Sequence, residues 1–228
     1  MQTITIQSDR DKTAVNEFIY SVYNWMAAGL ALTGFVAYFV ANSQAMLNLI
    51  LGNKLVFYGL IFGELGLVFT LAARIDKLQR STAVTLYILY AVLNGATLST
   101  IFLIYARSTI TSTFFICSAT FVVSSAYGMM TKKDLTSMGS FLFMGLIGIV
   151  IASVVNMFVQ SSQMSMMISY IGVLVFVGLT VYDTQRLKQL AYSQGADSKG
   201  AILGALTLYL DFINLFLMML RIVGGGRD

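Results

Sequence analysis

The sequence predicts an all-α integral membrane protein, a bundle of seven transmembrane helices. Three observations predict it. Hydrophobic residues make up 57% of the 228 and charged residues only 11%, with a mean hydropathy of +0.80, whereas about a quarter of a soluble domain is charged. Apolar runs of about 20 residues, the length a helix needs to cross a hydrocarbon core, recur between clusters of charge. Such long unbroken runs also rule out a closed barrel, whose strands alternate apolar and polar residues over about ten positions.

The runs lie near residues 18–41, 55–73, 82–105, 109–130, 137–158, 164–186 and 201–222. A short polar tail, residues 1–16, precedes a single transmembrane domain, residues 17–228, because no linker interrupts the apolar text. The tail lacks a cleavable signal pattern, and the span after it is far longer than the core of a signal peptide, so the first helix is expected to stay in the mature protein. Lys54 separates the first span from the second; Arg74, Lys77 and Arg80 close the second; Arg107 precedes the fourth. Lys132 and Lys133 lie in a connection, Thr131 to Leu135, short enough to demand a tight turn between antiparallel neighbours. Arg186, Lys188 and Lys199 separate the last two spans. The fifth and sixth spans carry Gly139, Gly145, Gly148, Gly172 and Gly178, which predict close helix packing through small side chains.

Alternate connections differ in charge. Counting the amino-terminal tail with Arg10 and Lys12, ten of the fourteen lysines and arginines fall on one face and four on the other, which predicts a cytoplasmic amino terminus and an outer carboxyl terminus. A re-entrant last helix would leave both termini cytoplasmic and fit the bias equally well. The net charge of +4 is scattered over short loops, which argues against nucleic acid as a partner and for the lipid bilayer. Cys117 has no intrachain partner and reads as a small buried hydrophobe. The chain has no histidine, so imidazole-based metal sites are excluded and any pH sensing near neutrality falls to carboxyl groups. The 13 methionines read as adaptable packing, since no cysteine or histidine supports the Met164, Met166 and Met167 cluster as a copper path.

Ionisable groups inside a bilayer cost several kcal/mol unless they face protein or water, and are functional candidates for that reason. Glu64 lies midway along the second span, Asp183 near the end of the sixth, and Asp211 within the seventh; Arg74 is the expected cation. Taking Lys77, Lys188 and Lys199 as surface markers, a rise of about 1.5 Å per residue puts Glu64 and Asp211 roughly 18–20 Å inward. Arg74 and Asp183 are then shallow, which predicts an Arg74–Asp183 layer above a Glu64–Asp211 layer. Gly204, Thr207, Asp211, Asn214 and Arg221 share one face of the seventh helix, expected to look into the bundle. Leu206, Leu208, Leu210, Phe212, Leu215 and Phe216 cover its other sides and are expected to meet lipid or apolar neighbours. Such charges can simply pair and hold a bundle together, but one arginine cannot neutralise three carboxylates. At least one must keep a proton, share one, or meet a cation; two acids sharing a site titrate as a pair. Calcium prefers carboxylate and carbonyl oxygens and is a fitting cation.

At TVYDTQRLK in the sixth span and ALTLYLDFINLFLMMLRIVGG in the seventh, the sequence resembles the Bax-inhibitor family of membrane proteins, and the likeness extends over nearly the whole chain, including Glu64 and Arg74 on the second span. The short tail, bare loops and compact size resemble its bacterial branch, which implies the bacterial inner membrane. The resemblance implies six helices around a central carboxyl-terminal one, and a pH-sensitive calcium leak. It implies further that Asp183 and Asp211 share a proton as the pH sensor, that Arg74 is their latch, and that Glu64 lies on the ion path, which the stripe extends through Asp211 to Asn214. Calcium is then the permeant or bound ion, with Asp183 and Asp211 its ligands, and no other cofactor is expected. Some bacterial relatives restrain a membrane-anchored ATP-dependent protease, so an interaction protein is the alternative. A non-enzyme is expected. Tyr182-Asp183 matches half of an intramembrane aspartyl protease signature, but Leu210 and Phe212 flank Asp211 where glycine is needed for a substrate strand to approach.

Overall fold

A computed structural model describes the backbone of residues 2–194 and 198–225 and the side chains of residues 13–192 and 199–225. Arg10, Lys12 and Arg227, which contribute to the charge bias, lie outside the described side chains. The elements are α1 (Gln2–Ala41), α2 (Gln44–Leu51), α3 (Lys54–Arg74), a 3₁₀ turn (Ile75–Lys77), α4 (Arg80–Leu98), α5 (Ile101–Ile104), α6 (Arg107–Met130), α7 (Thr136–Val159), α8 (Ser162–Gln194) and α9 (Ser198–Gly224). Seven stretches are long and apolar enough to cross a membrane: Thr13–Ala41, Lys54–Lys77, Arg80–Ile104, Arg107–Met130, Thr136–Val159, Ser162–Tyr192 and Lys199–Gly224. Every predicted span is present. The first begins inside the expected tail, where Val15 is already buried, and the sixth runs past Lys188 because nothing in its sequence stops a helix there.

Local chemistry sets the helix ends. The Ser43 hydroxyl accepts from Met46 N–H ahead of α2, and Asn53 Oδ1 accepts from Leu55 N–H at 3.0 Å ahead of α3, each satisfying a first-turn donor that has no partner within the helix. Gln160 closes α7 in the left-handed conformation, φ 54°. Large apolar side chains such as Phe62, Phe69, Phe141 and Leu174 point outward, the inverse of a soluble protein and the expected surface for lipid.

The chain forms two compact units, Met1–Ile104 with Gln189–Tyr209, and Tyr105–Lys188 with Leu210–Asp228. In the first, α4 packs against α1 and α3, and α2 rests on both α1 and α3, over a small core of Val40, Leu47 and Ile50. In the second, glycines admit close neighbours. A Cβ on Gly178 would stand 2.6 Å from Leu142 Cδ2, one on Gly172 2.8 Å from Met218, and the Tyr182 ring lies over Gly139. Gly148 has open space around it and takes no part in this packing.

The last span is the most buried of the seven, at 67% of its apolar window against 6–44% elsewhere. Leu206, Leu208, Phe212, Leu215 and Phe216, expected to meet lipid or apolar neighbours, are all buried in protein, whereas Thr207, Asn214 and Arg221 of the polar stripe are only half-buried. Periodicity locates a face but not which way it looks: Leu203, Thr207, Leu210, Asn214, Leu217 and Arg221 share the half-buried side of α9, and its apolar sides are the ones packed in protein.

Candidate functional site

Asp183 on α8 and Asp211 on α9 are both buried, and their side chains hydrogen-bond to each other. Two carboxyl groups can make such a bond only through a proton that they share. The Oδ2 of Asp211 is buried with no hydrogen-bond partner among the described residues. An orphaned polar atom of this kind costs about 1–3 kcal/mol, and a water molecule or a cation would satisfy it.

The segment of α8 around Asp183 is pinned on three sides. Thr184 Oγ1 lies 3.3 Å from Ser125 Oγ of α6. Gln185 donates to Lys133 O at 2.8 Å and accepts from Leu135 N–H at 3.1 Å, holding the turn between α6 and α7. Tyr182 lies against Gly139 of α7. Backbone and side chain together therefore fix where the Asp183 carboxyl points.

The expected layering is corrected here. Asp211 meets Asp183 rather than Glu64, because α8 continues to Gln194 and α9 starts at Ser198. Asp183 is eleven residues before the first end and Asp211 thirteen after the second start, so the two sit level in an antiparallel pair. Lys188 is not the end of its helix. It lies within α8 and donates to Met129 O at 2.6 Å.

Glu64 has partners of its own within the first unit. Thr97 Oγ1 donates to Glu64 Oε1 at 2.5 Å and Asn94 Nδ2 to Oε2 at 3.1 Å. Tyr209 OH donates to Asn94 Oδ1 at 3.0 Å, Thr33 Oγ1 lies 2.7 Å from Tyr209 OH, and Thr33 Oγ1 also reaches Ala91 O at 2.9 Å. With Glu64 as a carboxylate, this chain of five contacts has four protons to fill it: those of Thr97, Asn94, Tyr209 and Thr33. With Glu64 as the acid and the Asn94 amide turned over, which occupies the same space, the count is five for five and every bond runs toward Ala91 O. The protonation state of Glu64 and the direction of the chain are therefore linked.

Arg74 ends α3 with an exposed side chain. The cation whose charge acts on Asp183 is Arg186, one turn along the same helix, which sequence reasoning passed over in favour of Arg74. Asn214, one turn beyond Asp211, donates to Leu210 O at 2.8 Å and lines a cavity within the second unit. No group of three or more acidic or cysteine side chains gathers among the described residues, so a calcium ion at Asp183 and Asp211 would draw most of its six to eight oxygens from carbonyls and water. Asn94, Thr97, Thr33 and Tyr209 were missed. The signal available was Asn94 and Thr97 three residues apart in the apolar second half of α4, with Tyr209 two residues before Asp211.

The profile of the family described as inhibitor of apoptosis-promoting Bax1 matches residues 15–228. The chain is 47% identical to an Escherichia coli protein named inner membrane protein YbhL, over 95% of this chain and 94% of that one. It is 42% identical to an uncharacterized protein of Borreliella burgdorferi, covering 93% and 94% of the two chains. An uncharacterized membrane protein of Streptococcus pyogenes is 36% identical over 97% and 96%. With seven membrane-length helices and a match that runs from the first span to the last residue, the chain belongs to the Bax-inhibitor family of membrane proteins.

Proposed function

We propose that this protein is a pH-sensitive calcium leak of the bacterial inner membrane, with the Asp183–Asp211 pair as its gate. The observation that carries the reading is the hydrogen bond between two buried carboxyl groups from different spans, one of them with an unpartnered oxygen. With one shared proton the pair keeps a single negative charge, and Arg74 is the latch that answers it in the closed state. A second proton removes that charge, frees Arg74 and lets α3 move, opening a path past Glu64, Asp211 and Asn214. Calcium passes along it as cargo, held in transit by carboxyl and carbonyl oxygens. The charge bias of the connections supports a cytoplasmic amino terminus. No feature of the described residues speaks for protease modulation over a leak.

The test is calcium flux against pH in proteoliposomes holding wild type, Asp183→Asn or Asp211→Asn. Wild-type flux rises as pH falls, and each substitution flattens the profile because the shared-proton arrangement is gone. An unchanged pH response in both variants rejects the mechanism.

A further inference from the structure

We propose that a cavity in the second unit, between the carboxyl end of α7, the amino end of α8 and the last turns of α9, binds the phosphate group of an anionic membrane lipid. Its volume is about 470 Å³, and its polar lining is Ser153, Asn156, Ser165, Asn214 and Arg221. Arg221 is ten residues beyond Asp211, roughly 15 Å along the helix at about 1.5 Å per residue, so this is a place apart from the carboxyl pair.

The argument is an excess of donors. Arg221 has five N–H groups, and its one contact is to Ser169 Oγ at 3.4 Å; among the described residues no carboxylate answers it. Ser165 Oγ accepts from Asn156 Nδ2 at 2.6 Å, which leaves its own proton uncommitted, while Asn156 Oδ1 is taken by Ser161 N–H at 3.1 Å. The Ser153 hydroxyl makes no hydrogen bond among the described residues. Unspent donors around a fixed positive charge, with no acidic side chain in the lining, match a group that only accepts: a phosphate oxyanion, which arginine recognises with paired N–H bonds.

The apolar wall selects a lipid over free phosphate. Val150, Val154 and Met157 line the cavity and are 54%, 50% and 70% exposed, on a span with only 11% of its apolar window buried. The cavity therefore opens sideways along a surface that lies among acyl chains, with Arg221 near the helix end where headgroups are. Its volume is several times that of a phosphate ion.

The experiment is native mass spectrometry of the full-length protein titrated with phosphatidylglycerol, with diacylglycerol of the same chains, and with inorganic phosphate as competitor. Wild type retains phosphatidylglycerol and not diacylglycerol, Arg221→Gln lowers its affinity about tenfold, in keeping with loss of a charge-assisted contact, and Ser153→Phe, which fills the cavity and leaves the arginine, lowers it comparably. Phosphatidylglycerol binding unchanged in both variants, or equal retention of diacylglycerol, overturns the proposal. Displacement of the lipid by millimolar inorganic phosphate also overturns it, in favour of a free-anion site. Unfolding midpoints of each variant separate lost binding from lost fold, and Ser153→Phe carries the test alone if Arg221→Gln does not fold.

Discussion

Replacing Tyr209 by Phe tests whether the chain from Glu64 to Thr33 is one connected unit. The substitution removes an oxygen and a proton and leaves the ring, whose edge contacts to Tyr87 and Tyr90, with centroids 6.2 and 5.4 Å apart, do not need the hydroxyl. Thr33 keeps its bond to Ala91 O, so it loses little. Asn94 loses its only partner on the side away from Glu64, in a position 8% exposed beside a Tyr209 side chain with no exposure at all. A buried amide end left unpaired costs about 1–3 kcal/mol. Glu64→Gln behaves differently: its amide donates to the turned Asn94, all five contacts survive, and stability stays within about 0.5 kcal/mol of wild type, the scale of a substitution that breaks no buried contact. The assay is reversible unfolding in mixed micelles for wild type, both single variants and the double variant. Glu64 and Tyr209 meet only through Asn94, so a coupling of about 0.5 kcal/mol or more between them reports the shared amide. A loss below about 0.5 kcal/mol for Tyr209→Phe, or strict additivity in the cycle, refutes the linked chain.

Gly128→Ala puts a methyl 2.5 Å from Val181 O and 3.0 Å from Thr184 Cβ, so α6 is forced off the stretch of α8 that carries Asp183. Overpacking of this kind costs about 1–3 kcal/mol, read as a lowered unfolding midpoint, and the displaced Asp183 should also blunt the pH response of flux. At the turn before α7, the Thr136 hydroxyl and then its N–H hold the exposed Asp134 carboxyl below its ordinary 3.8. A carboxyl depressed in the folded state contributes stability above its unfolded value, and that contribution fades as pH falls through the lower, folded value. Asp134→Ala should therefore be less stable than wild type at neutral pH and indistinguishable from it in strong acid; a difference that persists undiminished in acid would contradict this.

The seven spans were legible because little besides a bilayer crossing produces apolar runs of that length between charges. Their burial was not. Leu206 and Leu208 are as apolar as any lipid-facing leucine, and hydropathy does not distinguish a helix wrapped in protein from one wrapped in acyl chains; only the extra spacing of polar residues could have. The acidic candidates stand out by the cost of their burial, and Asp183 and Asp211 are both buried. Their common height is hidden, because nothing in the sequence shows that α8 runs on for six residues past Lys188, to Gln194. Hydrogen-bond partners of an intramembrane acid are harder still to read. Asn94 and Thr97 are ordinary residues, and their role comes entirely from α4 packing against α3 at Glu64.

The two acidic places then differ in kind, which bears on how a leak of this design would respond to protons. Among the described residues, Asp183 and Asp211 face each other and Arg186, so adding or removing a proton changes the charge of the pair with little else to absorb it. Glu64 faces a chain of hydroxyl and amide groups that can reverse as a whole, so the same event there moves dipoles across α3, α4, α9 and α1 while the contacts persist. A carboxyl pair of the first kind is suited to switching, and a carboxyl held like Glu64 to passing a cation without losing its place. Substituting Glu64 should accordingly alter how fast ions cross more than the pH at which crossing begins, and the Asp183 and Asp211 variants should do the reverse. Measuring both quantities on the same vesicles decides it: a Glu64→Gln profile shifted along the pH axis at unchanged maximal flux would mean that Glu64, and not the aspartate pair, is the sensor.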